Sequence, residues 1–286
     1  MLFPWDKYEE LELSRRNTLQ VFVTNNCNLN CDGCFARKAM ATDKSGNMTL
    51  DEYIKVIADF QRRGGEQINI LGGEPLLHPN ITDMTTINSE QGIKTTIYTN
   101  GYFIDRFTRL DFHGAKLRVS IYSKSGKTKS LDRLPPTELE FDTCFMVSRG
   151  TTTQELLESA RVLEGEYNCP VFFISSIREL DNPRKEFFDD TDLSMPVLKY
   201  KELVHEFLRA YTGSMEIHIS KRGVFESTKT LADTRCRFAN YLADSRIVQC
   251  PYDLINEKFQ PDYSFGTRSC QQNSTCLMSK IVLRRK

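Results

Sequence analysis

The sequence contains no apolar run long enough to cross a membrane, and it has no excess of charge of either sign. A membrane-spanning helix needs about 18 or more consecutive apolar residues, and no such run occurs in this chain of 286 residues. Lys plus Arg and Asp plus Glu both number 38, so no basic excess indicates nucleic-acid binding. The first residues lack the basic and apolar segments of a signal peptide. We therefore expect a cytoplasmic protein that binds neither membranes nor nucleic acid.

Metal-binding patterns are also scarce outside one region. The four histidines are scattered without a ligand partner at metal spacing, and only one C-x2-C pair is present. A structural zinc site normally needs four ligands, usually from two such pairs. The chain has nine cysteines, an odd number with clustered spacing. This pattern favours metal ligation in a reducing compartment over disulfide bonds.

One loop carries three of these cysteines. The stretch VFVTNNCNLNCDGCF begins as a buried strand at Val21 and continues into Cys27, Cys31 and Cys34, in the spacing C-x3-C-x2-C. Three thiolates so close together can bind three corners of a cubic iron–sulfur cluster, because such clusters are held by cysteine sulfur. The fourth iron would have no protein ligand, which predicts a binding place for a substrate or cofactor. A structural zinc site is the alternative.

Predicted strands and helices alternate along the next two hundred or so residues, which favours a parallel sheet with right-handed crossovers. In the fourth predicted strand Leu117, Val119 and Ile121 share one face, whereas Arg118, Ser120 and Tyr122 share the other. A polar inner face favours a barrel that holds a ligand in its lumen. The predicted strands are 19–24, 68–71, 94–99, 117–122, 143–148, 170–176 and 215–220. The first predicted helix follows Thr49, which forms a capping box with Glu52. The other predicted helices lie near 80–91, 103–112, 152–164 and 197–211.

Three motifs together resemble those of the radical S-adenosylmethionine (SAM) enzymes. They are the cysteine loop, Gly72-Gly73-Glu74-Pro75 after the second strand, and Tyr98-Thr99-Asn100-Gly101 after the third. The chain departs from the family at Gly33, where an aromatic residue is usual, although Phe35 follows the third cysteine. The resemblance implies an α/β fold, a partial (β/α)6 barrel with its site at the carboxyl ends of the strands.

The resemblance also implies the cofactors and their contacts. A [4Fe-4S] cluster on Cys27, Cys31 and Cys34 would bind SAM and cleave it to a 5′-deoxyadenosyl radical, with electrons from a flavodoxin- or ferredoxin-type donor. Each assigned SAM contact has a structural alternative, such as a strand-end turn, a satisfied hydroxyl, an exposed arginine or a core aromatic. Cys144 could give a hydrogen atom to a substrate radical, or could simply be a structural cysteine. The assigned SAM contacts are Gly72, Gly73, Glu74, Thr99, Ser120, Arg178 and Phe35.

Four cysteines lie in the last part of the chain. A predicted hairpin, with a strand near 239–242, a turn at Asp244-Ser245 and a second strand at 247–248, separates Cys236 from Cys250. This arrangement resembles the twitch or SPASM extension of radical SAM enzymes, and it implies an auxiliary [4Fe-4S] cluster with Cys270 and Cys276 as further ligands. A zinc site is the alternative. We expect two domains, a barrel over residues 1–220 and a cluster-binding extension over residues 221–286.

These features predict a radical SAM oxidoreductase whose auxiliary cluster accepts an electron from the substrate. The first predicted strand begins at Leu19, which leaves no room for a peptide-recognition domain before it. We therefore expect a small polar substrate, such as a sugar or aminocyclitol, in natural-product or cofactor biosynthesis. The alternatives are a maturase that crosslinks or epimerises a ribosomally made peptide and an iron–sulfur electron carrier without enzymatic activity.

Overall fold

The backbone forms one open sheet of eleven strands in the described part of this computed structural model. The structure describes residues 8–11, 16–31, 34, 36, 46–123, 131–176, 195–220, 236–250, 259–266 and 280–283. The strand order across the sheet is β1-β11-β8-β7-β6-β5-β4-β3-β2-β9-β10. The strands are β1 Tyr8–Leu11, β2 Thr18–Phe22, β3 Gln67–Leu71, β4 Lys94–Thr99, β5 Lys116–Tyr122, β6 Phe141–Val147, β7 Val171–Ser176, β8 Glu216–Ser220, β9 Phe238–Tyr241, β10 Ile247–Val248 and β11 Lys280–Leu283.

The central strands confirm the predicted fold class. From β2 to β8 each strand lies beside the next one in sequence, and every neighbouring pair is parallel. Each of these strands was predicted, because its apolar, β-branched run ends at a turn. An open, mostly parallel sheet of this kind is consistent with a partial barrel. No helix in the described ranges is long and apolar enough to cross a membrane.

The helices also follow the sequence pattern, with one exception. They are α1 Leu50–Arg62, α2 Ile81–Glu90, α3 Thr153–Glu166 and α4 Val197–Ala210. The capping box is confirmed: the Thr49 hydroxyl accepts from Glu52 N, and the Glu52 side chain accepts from Thr49 N. The predicted helix at 103–112 is wrong, because two separate 3-10 turns occupy it. Phe107 between them is extended, and both Thr108 N and Thr108 Oγ1 donate to Asp111, a local turn that competes with a helix.

The sheet has an apolar outer face and a more polar inner face. On β5, Leu117, Val119 and Ile121 are buried in the main hydrophobic core with residues of the helices. The alternate residues of β5 are only partly buried, as the sequence predicted. We call the face that carries Arg118 and Tyr122 the inner face.

The predicted C-terminal hairpin is also confirmed. β9 and β10 pair antiparallel, and Ser245 in their turn has a positive φ of 68°. The hairpin is not separate from the sheet, because β9 pairs parallel with β2. Farther along the chain, β11 pairs antiparallel with β8 and β1. The division into two domains at residue 220 stays a prediction, since its boundary segment, 221–234, lies outside the described residues.

Candidate functional site

The cysteine loop leaves the carboxyl end of β2 at the edge of the parallel strands. Cys27 is exposed, and Cys31 and Cys34 are half-buried. Cys34 N donates to Cys31 O at 3.3 Å, and Leu29 N donates to Cys27 Sγ at 3.4 Å. Although much of the residue is exposed, partial burial of the thiol raises the pKa of Cys27. The hydrogen bond from Leu29 N opposes this rise, and the charges of Glu74 and Cys34 add to it. Within the described ranges no three potential ligands are already drawn together at metal-binding distances.

The glycine pair after β3 packs directly against this loop. Gly73 N donates to Thr24 O at 2.7 Å, and Glu74 N donates to Asn26 O at 2.8 Å. A Cβ on Gly73 would lie 2.3 Å from Asn26 O and 2.9 Å from Cys27 Cβ, closer than real Cβ atoms approach. The sequence therefore needs glycine here to bring the strand end against the cysteine loop. These two N–H groups are thus bonded to the cysteine loop, and the Glu74 carbonyl oxygen accepts from Leu77 N at 3.0 Å in the following turn.

The Glu74 carboxylate joins the second and third motifs. It is 1% exposed and accepts hydrogen bonds from Leu76 N at 3.0 Å, Thr99 Oγ1 at 2.6 Å and Asn100 N at 2.7 Å. Asn100 Nδ2 in turn donates to Asn28 Oδ1 in the cysteine loop at 2.8 Å. The Thr99 hydroxyl also accepts a hydrogen bond from Gly101 N at 2.9 Å. The geometry gives Thr99 a structural role, and its contact with SAM stays a prediction.

His78 fixes the turn that follows the second motif. Its Nε2 lies 2.9 Å from Met48 O, and its Nδ1 accepts from Asn80 N at 3.1 Å. These two bonds require a neutral ring, with the proton on Nε2. Burial lowers the pKa of His78, so protonation is resisted in the folded state.

We expect the His78 ring to make folding stability depend on pH. The unfolded chain binds a proton near the ordinary histidine pKa of about 6.5, whereas the folded ring resists it. Stability should therefore fall as the pH drops below that value. The measurement is the urea midpoint at about pH 7.5 and about pH 5.5 for wild type and for His78→Gln. Equal pH dependence in the two proteins would contradict this role for His78.

The inner face of β5 and β6 carries further residues of the candidate site. Ser120 on β5 pairs with Cys144 on β6, and Tyr122 pairs with Met146. The Cys144 sulfur lies 3.7 Å from Met146 Sδ. The structure thus places two predicted site residues, Ser120 and Cys144, side by side on adjacent strands.

The inner face also carries an ion pair that the sequence analysis did not predict. It joins the strand pair Arg118–Asp142, which lies farther from the carboxyl ends of β5 and β6 than Ser120 and Cys144. Arg118 Nη2 is 3.0 Å from Asp142 Oδ2, and Arg118 Nη1 donates to Tyr98 OH at 3.2 Å. Burial opposes the charge on Arg118, but Tyr98 and Asp142 outweigh it and raise the pKa of the guanidinium. Arg118 appears in the polar face of β5 in the sequence. Its partner could be found only from the pairing of β5 with β6.

Tyr122 is the other residue that sequence reasoning did not assign to the site. Burial raises the pKa of Tyr122 well above the usual value. The charges of Cys31, Cys34, Cys144 and Cys27 raise it further. Three cysteine sulfurs on one loop, which the second motif holds through hydrogen bonds from Gly73 N and Glu74 N, are a donor set whose chemistry fits a cubic cluster with one open iron.

Two of the C-terminal cysteines, Cys236 and Cys250, lie at the other edge of the parallel strands. Cys236 directly precedes the hairpin, and Cys250 follows its second strand. Because β9 runs parallel to β2, Cys236 lies at the amino end of the strands, opposite the cysteine loop. Continuing the hairpin register brings Cys250 across from Phe238, close to Cys236. Four predicted site residues lie outside the described residues: Phe35, Arg178, Cys270 and Cys276.

Comparison with known proteins gives one family and several relatives. The family model described as "Radical SAM superfamily" matches residues 21–189. The GTP 3',8-cyclase of Synechocystis sp. is 33% identical over 121 residues, 41% of this chain and 36% of the relative. The GTP 3',8-cyclase of Peptoclostridium acidaminophilum is 31% identical over 161 residues, 55% of this chain and 45% of the relative. The chain thus spans less than half the length of these curated relatives.

Two solved structures share the fold at low sequence identity. The crystal structure of Streptococcus suis SuiB bound to S-adenosylmethionine has a TM-score of 0.63 and 15% identity, and the match covers 86% of this chain and 63% of that one. The structure of anSMEcpe with bound AdoMet and the Kp18Cys peptide has a TM-score of 0.57 and 13% identity, with 90% and 79% covered.

Proposed function

The chain belongs to the radical SAM superfamily and is a radical SAM enzyme, and from this premise we propose that it oxidises a small polar substrate in cofactor biosynthesis. Family membership implies a [4Fe-4S] cluster and SAM. When bound, they supply a 5′-deoxyadenosyl radical that removes a hydrogen atom from the substrate. The observation that carries the proposal is the packing of the glycine pair against the cysteine loop, at one edge of a polar inner face.

The cluster site is assigned to Cys27, Cys31 and Cys34. Backbone groups of Gly72, Gly73 and Glu74 would meet the SAM amino group, as the family resemblance implies. Gly73 N and Glu74 N already donate to the cysteine loop, which holds this strand end beside the cluster site. Ser120 lies on the inner face, where its hydroxyl could reach SAM. The contacts of Thr99, Arg178 and Phe35 with SAM are proposed from the family resemblance alone.

An auxiliary cluster on Cys236 and Cys250, with Cys270 and Cys276 completing it, would serve as the electron acceptor. The geometry supports this role, because the two cysteine groups lie at opposite edges of the same strands. Five residues of β2 separate these edges, a span of about 16 Å at the usual strand rise. A substrate bound on the inner face would lie between the site of hydrogen removal and the acceptor. We further propose a flavodoxin- or ferredoxin-type protein as the electron donor.

The relatives modify the substrate predicted from the sequence. Besides the GTP 3',8-cyclases, they include the molybdenum cofactor biosynthesis protein 1 of Mus musculus, which is 31% identical over 127 residues, 43% of this chain and 19% of the relative. These names support cofactor biosynthesis and do not support a sugar or aminocyclitol. The inner face suits a polar molecule, because it carries the Arg118–Asp142 ion pair, whose Nη2 and Oδ2 lie 3.0 Å apart. We therefore retain a small polar substrate of cofactor biosynthesis and withdraw the sugar-like assignment.

A redox-neutral epimerisation, on a peptide or on another substrate, is the second candidate. It is favoured by Cys144, whose thiol lies on the inner face beside Ser120. In such a reaction the Cys144 S–H bond breaks and a substrate C–H bond forms, and a reductant must then return one electron and one proton to the sulfur. The likeness to SuiB shows the fold alone. A non-enzymatic electron carrier is set aside, because the chain belongs to a superfamily of enzymes.

Iron and sulfide content after anaerobic reconstitution tests the proposed function. Two cubane clusters predict about eight irons in wild type, and about four after Cys27, Cys31 and Cys34 are all replaced by alanine. Cys169→Ala is the control, because this buried thiol lies beside Thr143 at 3.1 Å, away from the loop, and should retain all the iron.

The result also separates the candidate reactions. About four irons falling to none would remove the proposed electron acceptor and favour the redox-neutral candidate. No iron in wild type, or no 5′-deoxyadenosine formed from SAM under strong reduction, would contradict the proposed function.

A further inference from the structure

A short segment of the chain connects the two halves of the C-terminal cysteine group. We call residues 259–266 the bridging segment, because they lie between Cys250 and Cys270 in the sequence. The last of these residues, Gly266, donates from its N to Cys236 O at 2.8 Å. Cys270 follows Gly266 by only four residues, and an extended chain of that length spans at most about 14 Å. Whatever fixes Gly266 beside Cys236 therefore limits how far Cys270 can lie from it.

The bridging segment is also bonded to the chain that leads into Cys250. Gln249 directly precedes this cysteine and is buried. Its Nε2 donates to Ser264 O at 3.0 Å, and its Oε1 accepts from Ser264 N at 3.4 Å. Gln260 N donates to Ile247 O at 2.8 Å. The same segment thus holds the backbone next to both described cysteines of the group.

Arg63, which caps the end of α1, joins the bridging segment to the barrel. Its Nη2 lies 2.9 Å from Asp262 Oδ1. Its Nη1 donates to Asp262 Oδ2 at 3.1 Å and to Tyr263 O at 2.7 Å. Its Nε lies 2.7 Å from Asp59 Oδ2, one helical turn earlier, so α1 itself orients the guanidinium. A two-point contact between a guanidinium and a carboxylate fixes geometry as well as adding attraction.

Aromatic packing accompanies these polar contacts. The guanidinium carbon of Arg63 lies 4.6 Å from the centroid of the Tyr263 ring, within the range of a cation–π contact. The Phe265 ring packs edge-on against Phe60 of α1, at 6.0 Å between centroids, and against Tyr263 at 5.5 Å. The rings supply attraction, whereas the directional hydrogen bonds of Arg63 fix where the segment lies along α1.

We propose that Arg63 is a positioning residue for the auxiliary cluster, and that it acts by holding the bridging segment beside Cys236 and Cys250. This inference rests on the proposed function, because it requires a cluster on the C-terminal cysteines. Both described cysteines are half-buried, and cysteine sulfur is the donor that such clusters use. Arg63 and Cys236 lie at the same edge of the sheet, since α1 ends just before β3 begins and Cys236 just precedes β9. Arg63 is not itself a ligand.

The test measures how fast an iron chelator removes the auxiliary cluster. Replacing Cys27, Cys31 and Cys34 by alanine in the reconstituted full chain leaves this cluster as the only expected iron. Groups that orient metal ligands typically contribute roughly 10- to 100-fold to metal affinity, so Arg63→Met should lose iron about tenfold faster. Arg62→Met is the matched control and should leave the rate unchanged, because the ion pair of this neighbouring arginine stays within α1.

A second variant separates positioning from a general effect on the end of the helix. Asp262→Ala removes the partner on the bridging segment, at a side chain that is 60% exposed, and should raise the rate by a similar factor. The two substitutions together should act no more strongly than Arg63→Met alone, because both remove the same contact. With all cysteines intact, the EPR signal of the SAM-binding cluster should be the same in wild type and in Arg63→Met.

The outcomes distinguish this inference from the proposed function. An unchanged rate of iron loss in Arg63→Met overturns the inference and leaves the proposed function standing. Faster loss in Arg62→Met as well, or effects of Arg63→Met and Asp262→Ala that simply multiply, would show a general loosening of α1 and would also overturn it. About four irons in wild type, all lost from the triple alanine variant, contradict the proposed electron acceptor and with it the inference. A wild-type chain that binds no iron contradicts the whole proposed function, and the inference with it.

Discussion

Replacing Gly73 with alanine should remove the SAM-binding cluster while the sheet remains folded. The new Cβ would lie 2.3 Å from Asn26 O, 2.6 Å from Asn26 C and 2.9 Å from Cys27 Cβ. These are backbone atoms and a Cβ, which cannot move aside as the end of a flexible side chain can. The cysteine loop must therefore shift by more than half an ångström (a shortfall of about 1 Å against normal contact), and the bonds that Thr24 O and Asn26 O accept would be strained. We expect about eight irons to fall to about four on reconstitution.

A matched substitution shows whether the close contact is the cause. Gly165 lies in α3, and a Cβ there would meet nothing within 4 Å. Gly165→Ala should keep all the iron and raise stability by up to about 1 kcal/mol, since alanine is the better helix former. Far-UV circular dichroism of Gly73→Ala should match wild type, because the clash is confined to a strand end. Full iron content in Gly73→Ala would show that the loop can move without cost, and would contradict the packing argument.

The sequence was sufficient for the elements whose residues carry the signal themselves. The strands from β2 to β8 are short apolar runs, of which β2, β3 and β4 end at motifs, and α1 begins with the Thr49–Glu52 capping box. Both signals are local and do not depend on what lies across the sheet. The prediction of a helix near 103–112 was wrong, although it also relied on a local signal. The apolar spacing was present, but the hydrogen bonds from Thr108 to Asp111 form a local turn that this spacing does not reveal.

The site was predictable only as a set of motifs, because its contacts join distant parts of the chain. The hairpin around Cys236 and Cys250 is visible in the sequence, but its pairing with β2 is not. That pairing alone places the two cysteine groups at opposite edges of the same strands. In the same way, Arg118 appears in the sequence as one member of a polar face. Its ion pair with Asp142 depends on the pairing of β5 with β6.

The buried Glu74 carboxylate of the second motif should contribute strongly to the free energy of unfolding. Glu74→Gln keeps the shape of the side chain but replaces an accepting oxygen with an NH2 group. The carboxylate now accepts from Leu76 N and Thr99 Oγ1 through Oε1 and from Asn100 N through Oε2. An amide cannot accept at both ends, so at least one buried N–H or O–H loses its partner. We expect a loss of about 2 to 3 kcal/mol in the free energy of unfolding.

Glu52→Gln is the control for this substitution, because it makes the same chemical change at a solvent-exposed cap. Glutamine also serves at that position of a capping box, so stability should change by less than about 0.5 kcal/mol. Urea unfolding of both variants gives the comparison. Equal losses would mean that the buried hydrogen bonds of Glu74 contribute nothing beyond its charge. A larger loss in Glu74→Gln, with partial loss of iron, would show that the carboxylate also holds the cysteine loop, since Asn100 links it to Asn28. The geometry of the loop would then depend on a residue that touches neither the cluster nor SAM through its side chain.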